Sequence, residues 1–205
     1  MNRDTMLEKF RNLRWVPLAA SALALAACQD ATPQAEAPLA GASIGGPFEL
    51  TDSAGETVRW DDFAGKYRMV YFGFTYCPDI CPTDVQRMMQ GYNAFAKAEP
   101  ELAAQIAPIF ISVDPERDTP QVVGEFTAAF SDKLIGLTGT PEQVKQAADN
   151  FRVFYSRGED TPGGGYLVDH SAIVYLFGPD GAPIATLPTD QGADAVAAEL
   201  AKWVS

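Results

Sequence analysis

Apolar and polar residues change rhythm along the chain, and each rhythm marks an element. From Phe48 to Asp52 they alternate, Ser53-Ala54-Gly55 reads as a turn, and Thr57 to Trp60 alternates again, which predicts a β-hairpin. Tyr67 to Phe74 (YRMVYFGF) is almost continuously apolar, and Ile106 to Val113 (IAPIFISV) repeats that pattern, so both predict strands buried on two faces. Between them Val85, Met88, Met89, Tyr92 and Phe95 recur at helical spacing, predicting a helix over Pro82 to Ala98. Thr119-Pro120 and Thr140-Pro141 each set a capping hydroxyl before a proline at the first helical position. They predict helices reaching about Phe130 and ending near Phe151. Ala172 to Phe177, a Pro179-Asp180-Gly181 turn and Pro183 to Leu187 form a second hairpin, and a last helix covers Ala193 to Val204.

Strand, helix, strand, helix, then an antiparallel hairpin and a closing helix is the layout of a thioredoxin-like α/β fold. Here it carries an added N-terminal β-hairpin and an extra helix near 141–151. Right-handed crossovers set the two long strands side by side, and the loops leaving their C-terminal ends then share one crevice. The Cys77 loop and Asp114 both lie at such ends.

The first residues do not belong to this pattern. Arg3, Lys9, Arg11 and Arg14 precede an apolar run from Trp15 to Ala27, and Leu25-Ala26-Ala27-Cys28 closes it. As a helix those thirteen residues rise only about 20 Å, short of the roughly 30 Å hydrocarbon core. The pattern is that of a secretory signal, and its L-A-A-C ending resembles a bacterial lipobox. Residues 1–27 are therefore read as a lipoprotein signal peptide, with Cys28 the lipid-modified first residue of the mature protein. Ordinary cleavage nearby and an uncleaved anchor are the alternatives. Residues 28–47, rich in Ala, Pro and Gly, read as a flexible tether with a reach of about 24 Å, and 48–205 as the folded domain. The chain carries a formal charge of −12; removing a presequence with four basic and two acidic residues takes it to −14. Nucleic acid and anionic membrane surfaces are poor partners for such a surface.

The candidate chemistry is concentrated in Cys77-Pro78-Asp79-Ile80-Cys81-Pro82, set between a buried strand and a helix start. Cys81 lies near the helix N-terminus, whose partial positive charge favours thiolate. Three readings compete: a structural disulfide, a catalytic dithiol, and a pair of metal-binding thiolates. A chain of this length builds its own core, and a five-residue ring removes little loop entropy, which counts against the first. His170, the only histidine, favours the third. It lies in Val168-Asp169-His170-Ser171, across the crevice in a thioredoxin-like layout, and Gly163-Gly164-Gly165 lets the preceding backbone fold over. Two thiolates and an imidazole suit Cu(I) or Cu(II), whereas zinc would need Asp169 or water as a fourth ligand. Around the pair, Asp79 reads as a solvated carboxylate, Asp118 as serving the next helix start, and Arg117 as a local ion pair. Asp114 flanks the crevice, and Tyr76, Phe74 and Tyr166 could form a docking rim.

The sequence resembles the Sco/SenC family of copper chaperones for cytochrome c oxidase. The stretches that carry the resemblance are Phe72 to Pro82 (FGFTYCPDICP), Ile111 to Pro120 (ISVDPERDTP), Leu137 to Thr140 (LTGT) and Asp169-His170-Ser171, within residues 45–204. The resemblance implies that Cys77, Cys81 and His170 hold one copper ion. It implies delivery to the binuclear centre of oxidase subunit II, and an upstream periplasmic copper donor is expected. Two departures stand out: the N-terminus looks like a lipoprotein signal rather than a membrane-spanning anchor, and Tyr76 stands where a histidine is common. The expected location is the periplasm, lipid-anchored at the inner membrane. Oxidation to a Cys77–Cys81 disulfide would abolish copper binding, linking delivery to thiol exchange. The protein reads as a metallochaperone rather than an enzyme. The rival is a thiol–disulfide oxidoreductase that keeps the oxidase copper-site cysteines reduced; it needs both cysteines but not His170. A peroxidase or redox sensor is disfavoured, because helical geometry directs Arg87 away from the thiols.

Overall fold

A computed structural model describes residues 36–161 and 164–205. The signal peptide, Cys28, the tether up to residue 35 and Gly163 lie outside the described residues. Strand β3 (Tyr67–Gly73) and strand β4 (Ile106–Ser112) are buried at every position and pair in parallel, from Tyr67 opposite Ile106 to Gly73 opposite Ser112. Continuous apolar runs form here because both faces of the sheet are covered by other elements. Pro108 is tolerated in this central strand for a local reason. The N–H of Val113 bonds to Gly73 O, so alternate N–H groups of β4 face β3 and that of residue 108 would face the other way. On that side, pairing with β5 (Ile135–Thr138) starts only at Ile109.

Among the described residues the main sheet has seven strands in the order β2-β1-β5-β4-β3-β8-β9. Strands β1 (Glu49–Asp52) and β2 (Thr57–Arg59) form the expected first hairpin, and β8 (Val174–Phe177) with β9 (Pro183–Leu187) the expected later one. Helix α1 (Ile80–Ala98) follows β3 and buries Val85, Met88, Met89, Tyr92 and Phe95, the residues whose spacing predicted it. A short α2 (Pro100–Ala103) leads into β4. Helices α3 (Pro120–Ala128) and α4 (Pro141–Asn150) start at the two Thr-Pro signals, with Thr119 and Thr140 accepting bonds from Val122 N and Gln143 N. Helix α5 (Ala193–Trp203) closes the chain. One side of the core is aromatic: Trp60 meets Phe48, Phe151 and Phe177 edge-on at centroid distances of 5.2 to 5.7 Å.

Three features differ from the expectations. Strand β5 is a short parallel strand whose four residues include a glycine, too brief for its pattern to register. Strands β6 (Tyr155–Asp160) and β7 (Tyr166–His170) form a two-stranded sheet of their own, so His170 ends a strand rather than sitting in a loop. Residues 36–47, read as part of the tether, lie on the domain. Leu39 N donates to Ile184 O at 3.0 Å, Gly45 N to Asn150 O at 2.9 Å, and Asn150 Nδ2 to Pro47 O at 2.8 Å. Leu39 and Ile44 pack against the core. Gly45 has φ +89°, and a Cβ there would come within 2.5 Å of Phe177, so only glycine lets the backbone lie this close.

Candidate metal centre

The loop after β3 is fixed before it reaches the first cysteine. Asp118 is fully buried and accepts three hydrogen bonds, from Thr75 N (2.9 Å), Thr75 Oγ1 (2.6 Å) and Ser112 Oγ (2.6 Å). It therefore binds the β3 and β4 exits to each other and does not cap α3, a role Thr119 takes. Burial pushes the Asp118 carboxyl above the usual carboxylate range, and the three donors oppose that shift.

From Thr75 the chain turns through Cys77, whose backbone N–H bonds to Phe74 O, into α1. The helix starts at Ile80, two residues earlier than expected, so Cys81 sits within its first turn and Asp79 precedes it without a side-chain cap bond. Cys81 is 0 % exposed and Cys77 half-buried; both are free thiols, and Cys81 N approaches Cys77 Sγ at 3.4 Å. Gly73 makes room for the deeper sulfur. A Cβ at that position would lie 2.9 Å from Tyr71, 3.1 Å from Phe110 and 3.2 Å from Cys81 Sγ.

The imidazole arrives from the other side of the crevice. His170 Nε2 lies 3.1 Å from Cys81 Sγ, and His170 Nδ1 lies 3.2 Å from Ser171 O. A carbonyl can only accept, so Nδ1 carries the proton and Nε2 presents its lone pair to the sulfurs. Tyr71 and Phe74 meet the ring edge-on at 6.0 and 5.9 Å and fix its plane. The three ligand atoms lie within 4.8 Å of one another, and they form a group able to grip one metal ion among the described residues.

Electrostatics here reverse one expectation. Burial raises the pKa of the Cys81 thiol strongly, so in the metal-free state desolvation outweighs the helix N-terminus. Burial also lowers the His170 pKa. The resting site is thus a thiol beside a neutral imidazole, and a cation entering it would displace the thiol proton. Two sulfurs and one nitrogen form a soft donor set suited to a thiophilic ion.

The other sequence candidates fall outside this cluster. Asp79 and Asp169 are exposed, and Asp114, though buried, bonds to Arg117 and to the Tyr166 hydroxyl. Tyr76 is exposed beside Cys77, with the Arg117 guanidinium 4.9 Å from its ring centroid. Arg87 donates to Thr189 O, away from the thiols as expected. Sequence reasoning missed Gly73, Thr75, Ser112 and Ser171 as supports of the site. It also missed Asp84, a buried α1 carboxylate that accepts from the Tyr71 hydroxyl at 3.2 Å. A polar residue on the buried face of an amphipathic helix was the one available signal for Asp84.

Comparison with known proteins places these features in context. The family model described as SCO1/SenC matches residues 36–205. The human mitochondrial SCO1 homologue is 44% identical over 138 residues, covering 67% of this chain and 45% of that protein. The chain spans about half the length of such curated relatives. Arabidopsis thaliana ScoI, solved with copper bound, superposes with a TM-score of 0.72 at 39% identity, covering 78% of this chain and 96% of that one. The thioredoxin domain of a Bacteroides vulgatus thiol-disulfide oxidoreductase has a TM-score of 0.55 at 20% identity, covering 80% and 96%. That likeness shows the fold alone, and the fold is thioredoxin-like, as expected.

Proposed function

The chain belongs to the SCO1/SenC family, and from that premise we propose that it is a periplasmic copper chaperone, held to the membrane by a lipid on Cys28. Copper is its cargo. One ion is bound by Cys77 Sγ, Cys81 Sγ and His170 Nε2, received from an upstream periplasmic donor and passed to the binuclear copper centre of cytochrome c oxidase subunit II. The observation that carries this reading is the convergence of those three atoms within 4.8 Å, with the imidazole tautomer set by Ser171 O.

The residues divide the work. Cys81, deep and raised in pKa, releases a proton only when a cation replaces it, which couples loading to proton loss. Cys77 is half-buried and is the sulfur an acceptor protein can reach. His170 lies on a hairpin outside the main sheet, so its nitrogen is the ligand best placed to leave during exchange. Three protein ligands leave a face open to a donor atom of the acceptor, so the ion is handed over without being freed. Ile80 and Ile173, both exposed, flank a groove of about 540 Å³ beside the site that can seat such an acceptor.

Metal analysis and absorption spectra of the reduced full chain test this. One copper per chain and a copper–thiolate band are expected, with both lost in Cys77→Ala, Cys81→Ala and His170→Ala. Unchanged stoichiometry in Cys77→Ala would overturn it. The rival dithiol reading predicts disulfide reductase activity that survives His170→Ala and fails in Cys81→Ser. Acyl mass on Cys28 in the mature protein tests the anchor.

A further inference from the structure

Among the described residues, no ladder hydrogen bonds join the hairpin that brings His170 to the thiols to the main sheet. A two-stranded hairpin is marginal by itself in water, so its position depends on discrete ties. Val168 packs into the core, the Tyr166 hydroxyl reaches Asp114 and Glu116, and one further side chain ties this hairpin to the thiol loop as well. Arg117, in the loop between β4 and α3, donates from Nη1 to Tyr166 O at 2.9 Å, at the start of β7. Its guanidinium lies over the Tyr166 ring at 3.6 Å and reaches the rings of Tyr76 at 4.9 Å and Phe74 at 5.9 Å. Tyr76 is the neighbour of Cys77, and Phe74 packs edge-on against the His170 ring. Arg117 Nε is held by the buried carboxylate of Asp114 at 2.5 Å, and Asp114 also accepts from the Tyr166 hydroxyl at 2.7 Å. Its Nη2 is buried with no hydrogen-bond partner among the described residues, and the Tyr166, Tyr76 and Phe74 rings lie around the guanidinium. The next residue, Asp118, anchors Thr75.

We propose that Arg117 is the positioning residue of the metal centre: one guanidinium fastens the thiol-bearing loop, through Tyr76 and Phe74, to the imidazole-bearing hairpin, through Tyr166. The buried Asp114 carboxylate aims the fork, and the planar group serves the hydrogen bond and the stacked rings together. An ammonium cannot do both, because it offers no flat face and no second nitrogen held in register. The imidazole is thereby held within reach of the sulfurs before an ion arrives. This proposal rests on the reading of Cys77, Cys81 and His170 as the copper site, yet its structural half is testable without copper.

The test compares Arg117→Ala and Arg117→Lys with the unaltered full chain. In the metal-free reduced protein, amide hydrogen exchange over 155–170 should quicken at least about tenfold in both variants, while β3 and β4 keep their protection. With Cu(II) as the probe, affinity should fall roughly 10- to 100-fold, the effect usual for losing an outer support of a metal ligand. The nitrogen splitting in the electron paramagnetic resonance signal should weaken as imidazole occupancy drops. Lysine should rescue neither property. Wild-type exchange and wild-type spectra in Arg117→Lys would overturn the proposal, because charge alone would then suffice. Loss of protection throughout the domain in both variants would also overturn it, showing a general stability role. If no form of the chain bound copper, the copper reading would fall, and exchange in the hairpin would still decide the clamp.

Discussion

The two sides of the metal centre are built by opposite means. The thiols stand at the junction of β3 and α1, where every residue of the strand is buried and Asp118, Ser112 and Thr75 lock the exit by hydrogen bonds. The imidazole stands at the end of a hairpin whose β6 strand has no buried residue and whose β7 strand has one, Val168. A site made this way can keep its sulfurs fixed while its nitrogen moves. All three ligands are then needed to hold an ion, and release can begin at the nitrogen.

Substitutions on the two sides should separate accordingly. The largest effect belongs to Phe72→Ala, which empties a fully buried position in β3. It should cost about 3–5 kcal/mol, seen as a fall in the urea midpoint. Gly73→Ala should cost about 1–3 kcal/mol through overpacking against Tyr71, Phe110 and Cys81, and it should weaken copper binding through the displaced sulfur. Asp118→Asn should cost about 1 kcal/mol and change the pH profile of stability. Because burial raises the folded-state pKa of Asp118, its contribution is full below the unfolded carboxylate range near 4 and is lost as pH rises through the higher folded value. The asparagine variant should lack that decline when urea midpoints are taken from about pH 3.5 upward. Phe154→Ser, at a residue 65 % exposed beside β6, should move stability by less than about 0.5 kcal/mol. If it destabilised the chain as much as Phe72→Ala, the contrast between a fixed and a movable half would be wrong.

The same contrast governs what the sequence made legible. Continuous apolar runs in β3 and β4 and the helical spacing in α1 state their burial directly, so the rigid half was readable to within two residues. The Cys77, Cys81 and His170 grouping was readable too, since a lone histidine and a cysteine pair leave few arrangements. The hairpin was not. Its outward residues Ser156, Glu159, Asp160 and Asp169 are polar and follow no apolar alternation. Residues 36–47 escaped for a related reason: Leu39 and Ile44 pack inward from a stretch with no period. The protonation of Cys81 was misread because a helix end is visible in sequence, whereas the depth at which a sulfur lies is not. Arg117 and Asp118 were noticed, but their partners Tyr166 and Thr75 lie 49 and 43 residues away in the chain, beyond any local pattern.

The bond from Leu39 N to Ile184 O has a meaning of its own, since β9 is the outermost strand of the main sheet. Unpaired carbonyls on such a strand invite other chains to add on. By occupying one of them, the N-terminal strap covers part of that rim. A shortened chain beginning at residue 48 would expose that rim and should form reversible dimers or larger assemblies, visible in sedimentation at high concentration, with its metal centre unchanged.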